Sequence, residues 1–383
     1  MKKSIIYFLS IITIFCTGCI QKNDDSRHIV DFASWGSQSE VEILKTIISD
    51  FEIENPDIKI NFMHIPQNYF QKIHLLLASN TAPDIIFINN LNIPVYEQYL
   101  EDLSSIINKN DYYKKTLDAL SYNNKLLAVP RDVSTIVIYY NKDLFKKYNI
   151  KFPDKNWTFN DLLKISLEFK KHNIYGISFE EESICYLPYL MSEGGGILSD
   201  DLKTEIVNLP QSQKGIQFYS DLRNKYNVAP KKSQSASLTM AQMFLQEKIA
   251  MHVSGRWMVP KYRESAKFDW DVINFPNGDK GSIVPLDASG WAVYKFSKNK
   301  SNAFKFIEYV SSKNISEKFA KTGLMTPARI DASNSESFLS GKPKSSKIFL
   351  DIIKTSKPTP VSKHYNELVD KVNLKLEPIF DKE

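Results

Sequence analysis

The chain has 383 residues, of which 43% are hydrophobic and 12% aromatic, so it is long enough to form two globular domains with large cores. Its 49 basic and 44 acidic residues give a formal charge of +5, and they are spread along the chain without the basic block that a nucleic-acid partner requires. Composition therefore indicates a globular protein and argues against one that binds nucleic acid.

The first nineteen residues have the pattern of an export signal. Lys2 and Lys3 precede an apolar run, Ile5 to Phe15, that is too short to span a bilayer. The segment that follows ends at Cys19 and resembles the lipobox of bacterial lipoproteins. This resemblance implies cleavage before Cys19, lipidation of its thiol, and a protein held on the extracytoplasmic face of the cell membrane. Residues 20–27 would then form a flexible tether.

Beyond residue 28, strands and helices alternate as they do in α/β domains. Ile29 to Ala33 is a predicted strand, and Ser37 with Glu40 has the form of a capping box that opens a helix. Ile85 to Ile88 is apolar at every position, as expected for a strand that is buried on both faces of a sheet. This alternation predicts a mainly parallel sheet covered by helices.

The segment from Tyr122 to Phe145 predicts a crossing between two lobes. It contains two short apolar strands, Leu126 to Val129 and Ile136 to Tyr140. Pro130 to Val133 separates them, because proline has no N–H to donate to a strand ladder. A second series of strands and helices follows, so we expect two α/β lobes that are joined at hinge crossings.

Polar and aromatic residues collect where three predicted strands end. Ligands of open α/β sheets bind beyond the carboxyl ends of the strands, where loops converge. Trp35 to Gln38, Asn89-Asn90 and Gly255-Arg256-Trp257 lie at such ends and offer indole rings, amides, a hydroxyl and a guanidinium. Aromatic rings cover the C–H face of a sugar, while amides and hydroxyls pair with its OH groups. The set therefore favours a carbohydrate ligand, with Trp257 as the leading candidate for contact.

The sequence lacks the common motifs of enzymes and metal sites. It has no GxSxG elbow, no GxxxxGKS/T phosphate loop, no GxGxxG after a strand and no HExxH pair. We therefore expect a binding protein that has no catalytic residues and requires neither a cofactor nor a metal.

Several segments follow the lipobox-like start in a characteristic order, and they include SWGSQSEVEILKTIISDFEIENPDIKI, YNNKLLAVPRDVSTIVIYYNKDLFKKYNI, FLQEKIAMHVSGRWMVP, FDWDVINFPNG and GLMTPAR. Together they resemble the extracellular solute-binding proteins of family 1, the maltose and multiple-sugar receptors of ABC importers. The resemblance extends over nearly all of the chain beyond the export signal.

The resemblance implies a two-lobed periplasmic-binding-protein-like fold. Its N-terminal lobe would comprise residues 28–132 and 283–327, its C-terminal lobe residues 133–282 and 328–383, with two or three hinge crossings between them. The family's function implies a monomeric, membrane-anchored receptor that closes on a sugar and delivers it to an ABC permease. The implied ligand-binding positions are Trp35, Ser37, Gln38, Asn89, Asn90, Arg131, Ser134, Gly255, Arg256, Trp257, Asp287 and Tyr365.

Two other functions are compatible with the sequence. A receptor for glycerol phosphodiesters or another small anion would need a second cationic residue beside Arg256 in the cleft, and Arg131 is a candidate. A surface glycan hydrolase would need two carboxylates about 5 to 10 Å apart across the site, which Asp132 and Asp287 could supply.

Overall fold

The computed structural model describes residues 27–235 and 237–382. The predicted export signal, its lipidation site Cys19 and nearly all of the predicted tether lie outside these ranges. The strands of the described residues are β1 His28–Ser34, β2 Ile58–His64, β3 Ile85–Asn89, β4 Ser121–Tyr122, β5 Lys125–Leu126, β6 Val129–Ser134, β7 Ile136–Asn141, β8 Tyr175–Ile177, β9 Ile249–Gly255, β10 Trp270–Ile273, β11 Pro285–Val293, β12 Thr326–Pro327 and β13 Lys357–Pro358.

Helices pack around these strands. The α-helices of the described residues are α1 Gln38–Glu54, α2 Tyr69–Ala78, α3 Ile93–Tyr96, α4 Lys114–Ala119, α5 Lys142–Lys147, α6 Phe159–Lys170, α7 Ser183–Ser192, α8 Pro210–Asn224, α9 Lys232–Ser235, α10 Met240–Leu245, α11 Val259–Ser265, α12 Lys300–Val310, α13 Lys313–Lys321, α14 Ile330–Ser333, α15 Glu336–Leu339, α16 Ile348–Thr355 and α17 Tyr365–Phe380. Short 3₁₀ turns occupy Asn90–Asn92, Glu97–Tyr99, Lys109–Asp111 and Arg256–Met258. Every helix in residues 27–235 and 237–382 is too short or too polar to span a bilayer.

The N-terminal lobe is built on a seven-stranded sheet. Its order is β12-β6-β11-β3-β1-β2, and β13 pairs with the first residues of β11. Ile85 to Ile88 of β3 are all buried, as the unbroken apolar run predicts, and so are Val30, Phe32 and Ala33 of β1. Phe32 and Phe87 pack on Trp291 of β11 with ring centroids 5.4 and 4.7 Å apart, so the core joins the first strands to a strand from much later in the chain.

The C-terminal lobe is built on a four-stranded sheet in the order β10-β7-β9-β8. Its core is rich in large aromatic side chains. Tyr139 of β7 lies with its ring centroid 5.1 Å from that of Tyr262 on α11 and 5.7 Å from that of Trp270 on β10. Burying rings of this size supplies much of the apolar area that stabilises the lobe.

Both sheets are mixed, which corrects the prediction of mainly parallel sheets. β1 is parallel to β2 and β3, and β8 is parallel to β9. β11 is antiparallel to β3 and β6, and β7 is antiparallel to β9 and β10. β6, β7 and β11 lead from one lobe to the other. They therefore run antiparallel to the neighbouring strands that belong to strand-helix-strand units.

The first crossing is very short, because only Thr135 separates β6 from β7. β6 also continues through the segment 130–133, which the sequence analysis expected to interrupt the strand. Pro130 pairs with Gly290, and the register then shifts so that Arg131 is an extra residue relative to β11. A bulge of this kind tolerates proline and redirects the neighbouring side chain.

Candidate functional site

A cavity of about 250 Å³ lies between the two lobes, where β1, β6 and β9 end. We call it the interlobe cavity. Five of the residues predicted from sequence line it, namely Trp35, Arg131, Ser134, Arg256 and Trp257. The sequence analysis did not assign to the site the lining residues Glu40, Leu324, Met325 and Thr326.

Two indole rings line the interlobe cavity from opposite lobes. Trp35 is half-buried, and its ring is held by Phe87 and Tyr69 at centroid distances of 4.2 and 5.0 Å. Trp257 is 38% exposed, and its ring lies over the backbone of Gly255. A Cβ atom on Gly255 would be 1.9 Å from Cζ3 of Trp257, so this glycine provides the space that the ring occupies. Gly255 therefore shapes the site without lining it.

Arg131 is held within the wall formed by the N-terminal lobe. Its Nε donates to Oδ2 of Asp132 at 2.7 Å, and its Nη1 donates to Oε1 of Glu40. The guanidinium carbon lies 4.0 Å from the ring centroid of Phe87. Burial alone would lower the pKa of Arg131, but the two carboxylates more than offset it and the pKa is raised. Burial raises the pKa of Asp132, and its pairing with Arg131 partly opposes this shift.

Arg256 lies on the opposite wall in a different environment. It is 3% exposed, and its guanidinium carbon lies 3.8 Å from the ring centroid of Phe338 and 4.9 Å from that of Phe349. Nη2 donates to the backbone oxygen of Phe338 at 3.3 Å, whereas Nε and Nη1 have no partner in the described part of the chain. Burial lowers the pKa of Arg256 to about 9.

Tyr365 lines a second cavity, of about 520 Å³. The backbone of Gly194, Gly195 and Gly196 and the side chains of Lys280 and Lys357 also line it. Tyr365 is only 4% exposed, and burial raises the pKa of its hydroxyl. The sequence analysis grouped Tyr365 with the interlobe residues, but the structure places it in this separate space.

Asp287 lies near both cavities without lining either. It is paired in register with Ser134, which lines the interlobe cavity, and it interacts electrostatically with Tyr365. Its Oδ1 accepts a hydrogen bond from Nδ2 of Asn90 at 3.0 Å. Burial raises the pKa of Asp287, and the bond from Asn90 partly opposes this. Asn90 is itself 1% exposed, so these two predicted site residues form an internal contact.

The side chains of three other predicted site residues form hydrogen bonds with residues that are close in sequence. Ser37 caps α1 by accepting from a backbone N–H at 3.3 Å, as its capping position predicts. Gln38 is exposed and donates to Glu42 at 2.9 Å. Oδ1 of Asn89 accepts from Nδ2 of Asn92 at 2.7 Å. None of the three lines the interlobe cavity as the described residues form it, and their contact with a ligand stays a prediction.

The arrangement also bears on metal and hydrolase chemistry. Within residues 27–235 and 237–382, no group of three or more His, Cys, Asp or Glu side chains is placed to hold a metal ion. Asp132 is paired with Arg131, and Asp287 does not line the interlobe cavity. These two aspartates therefore do not face each other across the cavity as a pair of glycosidase carboxylates would.

Comparison with known proteins places the chain among transport receptors. Residues 35–314 match the sequence profile described as "Bacterial extracellular solute-binding protein". The multiple sugar-binding protein of Streptococcus mutans is 26% identical over 305 residues, which are 72% of this chain and 69% of that protein. The sn-glycerol-3-phosphate-binding periplasmic protein UgpB of Shigella flexneri is 26% identical over 335 residues, 76% of this chain and 73% of that protein.

A solved structure shows the same fold. The ABC substrate-binding protein Lmo0181 from Listeria monocytogenes, in complex with cycloalternan, superposes with a TM-score of 0.85. It is 24% identical, and the match covers 92% of this chain and 94% of that one. The two-lobed α/β fold expected from sequence is therefore confirmed.

Proposed function

The chain belongs to the bacterial extracellular solute-binding protein family, and on that premise we propose that it is a receptor that binds a sugar or oligosaccharide between its lobes. The observation that carries the proposal is the interlobe cavity, which Trp35 enters from one lobe and Trp257 from the other. Indole faces cover the C–H surfaces of a sugar ring. The names of sugar-binding relatives and neighbours support the same ligand class.

The polar groups of the cavity suit hydroxyl-rich ligands. The carboxylates of Glu40 and Asp132 accept hydrogen bonds, and the hydroxyls of Ser134 and Ser289 can donate or accept. A ligand that contacts both walls binds the closed arrangement of the lobes better than an open one. It therefore shifts the population of the protein toward closure, and binding needs no covalent chemistry.

The proposed receptor works at a membrane. Cys19 would carry the lipid that holds it on the extracytoplasmic face, and the closed, loaded form would be recognised by the permease subunits of an ABC importer. We propose that the protein acts as a monomer and as a binding protein, not as an enzyme. The anion-receptor alternative receives less support, because Arg131, the second cation that it requires, is already paired with two carboxylates.

A thermal-shift screen tests the proposed function. Purified protein is melted with mono-, di- and oligosaccharides and, in parallel, with glycerol phosphates. A ligand at a hundredfold excess over its Kd adds about 2.7 kcal/mol to the free energy of unfolding, which raises the melting temperature. We expect stabilisation by a sugar series. Stabilisation by glycerol phosphate alone would replace the sugar proposal with the anion-receptor one.

Trp257→Ala is the accompanying variant. We expect it to weaken sugar binding markedly while leaving the melting temperature of the ligand-free protein nearly unchanged, because the ring is partly exposed. Phe296→Ala is the matched control, since Phe296 is a 59% exposed aromatic residue outside the interlobe cavity. Equal affinities for the two variants would show that the Trp257 ring does not contact the ligand.

A further inference from the structure

Lys115 of α4 forms three hydrogen bonds with the end of another helix. Its Nζ donates to the backbone oxygens of Ile353, Lys354 and Ser356 at 2.9, 2.8 and 2.6 Å. The first two of these residues lie in the last turn of α16, and the third directly follows that helix. Because an ammonium group has three N–H donors, the end of α16 occupies all of them.

The contact suits the end of a helix. The last carbonyl groups of an α-helix have no N–H partner within the helix, and they form the negative end of its dipole. A lysine at this position supplies hydrogen bonds and a favourable charge together. Lys115 is half-buried, so water has limited access to replace it. Lys115 therefore anchors the end of α16.

The two helices belong to different lobes. α4 packs on β6 and β11 of the seven-stranded sheet. α16 contributes Phe349 and Ile353 to the hydrophobic core that also contains the apolar residues of β7, β9 and β10, which are strands of the four-stranded sheet. The hydrogen bonds of Lys115 therefore connect a helix of the N-terminal lobe to a helix of the C-terminal lobe.

The other end of α16 contacts the wall that carries Trp257. The ring centroid of Phe349, the second residue of α16, lies 4.9 Å from the guanidinium carbon of Arg256. Arg256 and Trp257 are consecutive residues of the 3₁₀ turn Arg256–Met258. α16 has eight residues and is about 12 Å long, with a hydrogen-bonded backbone. A shift at the end held by Lys115 is thus expected to reach the turn that carries the ring.

We infer that Lys115 is a positioning residue for the proposed sugar site, because it holds the C-terminal lobe, through α16, where Trp257 and Trp35 line the same cavity. The inference rests on the proposed function and adds a residue that lies outside the interlobe cavity. In the described arrangement a sugar can contact both lobes at once. Loss of the Lys115 hydrogen bonds lowers the population of this arrangement, and the apparent affinity falls with that population.

Quenching of tryptophan fluorescence by acrylamide tests the inference without a sugar. Three of the five tryptophans are almost fully buried, namely Trp157, Trp270 and Trp291. Acrylamide therefore quenches mainly Trp35 and Trp257, the two rings of the interlobe cavity. In the ligand-free protein, Lys115→Met should raise the quenching constant above the wild-type value, because the two rings are no longer held in one narrow cavity.

Three further variants make this measurement specific. Lys114→Met is the matched control, because Lys114 is exposed and pairs with Asp118 inside α4, and its quenching constant should equal that of the wild type. Lys115→Arg keeps a charged donor and should restore much of the wild-type value. In the double variant Lys115→Met/Trp257→Phe the rise should be smaller. A rise of unchanged size in that variant would show that the quencher reaches another ring, and the inference would be wrong.

Titration calorimetry with maltose, maltotriose, raffinose and cycloalternan measures the effect on binding. Lys115→Met should weaken the binding of each of these sugars that the wild type binds by about tenfold, the loss that corresponds to one hydrogen bond to a charged group. Lys114→Met should bind them as the wild type does, and Lys115→Arg should recover most of the affinity.

Two results would overturn the inference. A lower melting temperature of Lys115→Met, with wild-type quenching and affinity, would show that Lys115 only stabilises the fold. Tighter sugar binding by Lys115→Met would show that its hydrogen bonds oppose the arrangement that binds. If no sugar of the thermal-shift screen binds the wild type, the proposed function is itself wrong, and the quenching constants still decide whether Lys115 positions Trp257.

Discussion

The two walls of the interlobe cavity differ in how many of their polar groups form hydrogen bonds or ion pairs within the protein. On the N-terminal lobe, Arg131 is paired with Glu40 and Asp132 and lies against Phe87. On the C-terminal lobe, Arg256 has donors without acceptors among the described residues, and the ring beside it is partly exposed. The polar groups of the first wall are paired within the fold, and the second wall presents a partly exposed ring that a ligand can cover. We expect changes in the first to alter stability and changes in the second to alter binding.

The largest effect is expected from Arg131→Met. Removing this cation leaves two buried carboxylates without their ion-pair partner, so the free energy of unfolding should fall by about 3–5 kcal/mol. Urea unfolding followed by circular dichroism measures this loss. Lys45→Met is the control, because the ion pair of Lys45 with Glu42 is exposed and should contribute less than about 1 kcal/mol. Similar losses in the two variants would show that the buried ion pairs of Arg131 contribute no more to stability than an exposed ion pair does.

Gly290→Ala should destabilise the same wall by a smaller amount. A Cβ atom at this position would lie 2.3 Å from the backbone oxygen of Val129, next to the bulge that presents Arg131. The strands would have to separate, and overpacking of this kind lowers the free energy of unfolding by about 1–3 kcal/mol. The same urea titration measures it, and a change within about 0.5 kcal/mol would contradict the close contact of β6 and β11.

Gly255→Ala tests the opposite wall and should act on binding. The atoms nearest to an added Cβ all belong to the ring of Trp257, which would have to leave its place over the backbone. We expect affinity for the sugar to fall about tenfold, equivalent to about 1.4 kcal/mol, with little change in the urea midpoint. Calorimetric titration and tryptophan fluorescence report the two effects separately. A fall in the free energy of unfolding with unchanged affinity would show that this wall contributes to stability and not to binding.

The smallest effect concerns pH and Asp287. Burial raises the pKa of this carboxyl, so the folded protein binds a proton more readily than the unfolded chain. Its contribution to stability is complete below the unfolded pKa of about 3.9 and is lost as pH rises through the folded value. Asp287→Asn should therefore flatten the decline of unfolding free energy as pH rises from about 4 toward neutrality. An unchanged slope would show that another group causes any decline.

Sequence reasoning located the cavity better than it assigned the side chains. Periodicity and apolar runs identified the strands, and the ends of parallel strands indicated where loops would meet. The same loops use Ser37 and Asn89 for local hydrogen bonds. A polar residue at the end of a strand gives the same sequence pattern whether its side chain caps a helix or contacts a ligand.

Long-range pairing was the other limit of the sequence. Glu40 looked like part of a capping box, but its carboxylate pairs with Arg131, 91 residues away. The bulge that makes this contact possible depends on the register between β6 and β11, strands that lie far apart in the chain. Local patterns contain no information on that register, so neither the ion pairs of Arg131 nor the isolation of Arg256 could be predicted.

The single residue between β6 and β7 also determines what kind of motion this junction permits. We expect a link as short as Thr135 to act as a pivot, because it would allow the lobes to rotate but prevent one from sliding along the other. Displacement in a rotation grows with distance from the pivot. We therefore expect Ser134, which is adjacent to Thr135 in the chain, to move least in such a rotation, and side chains farther from this link to move most.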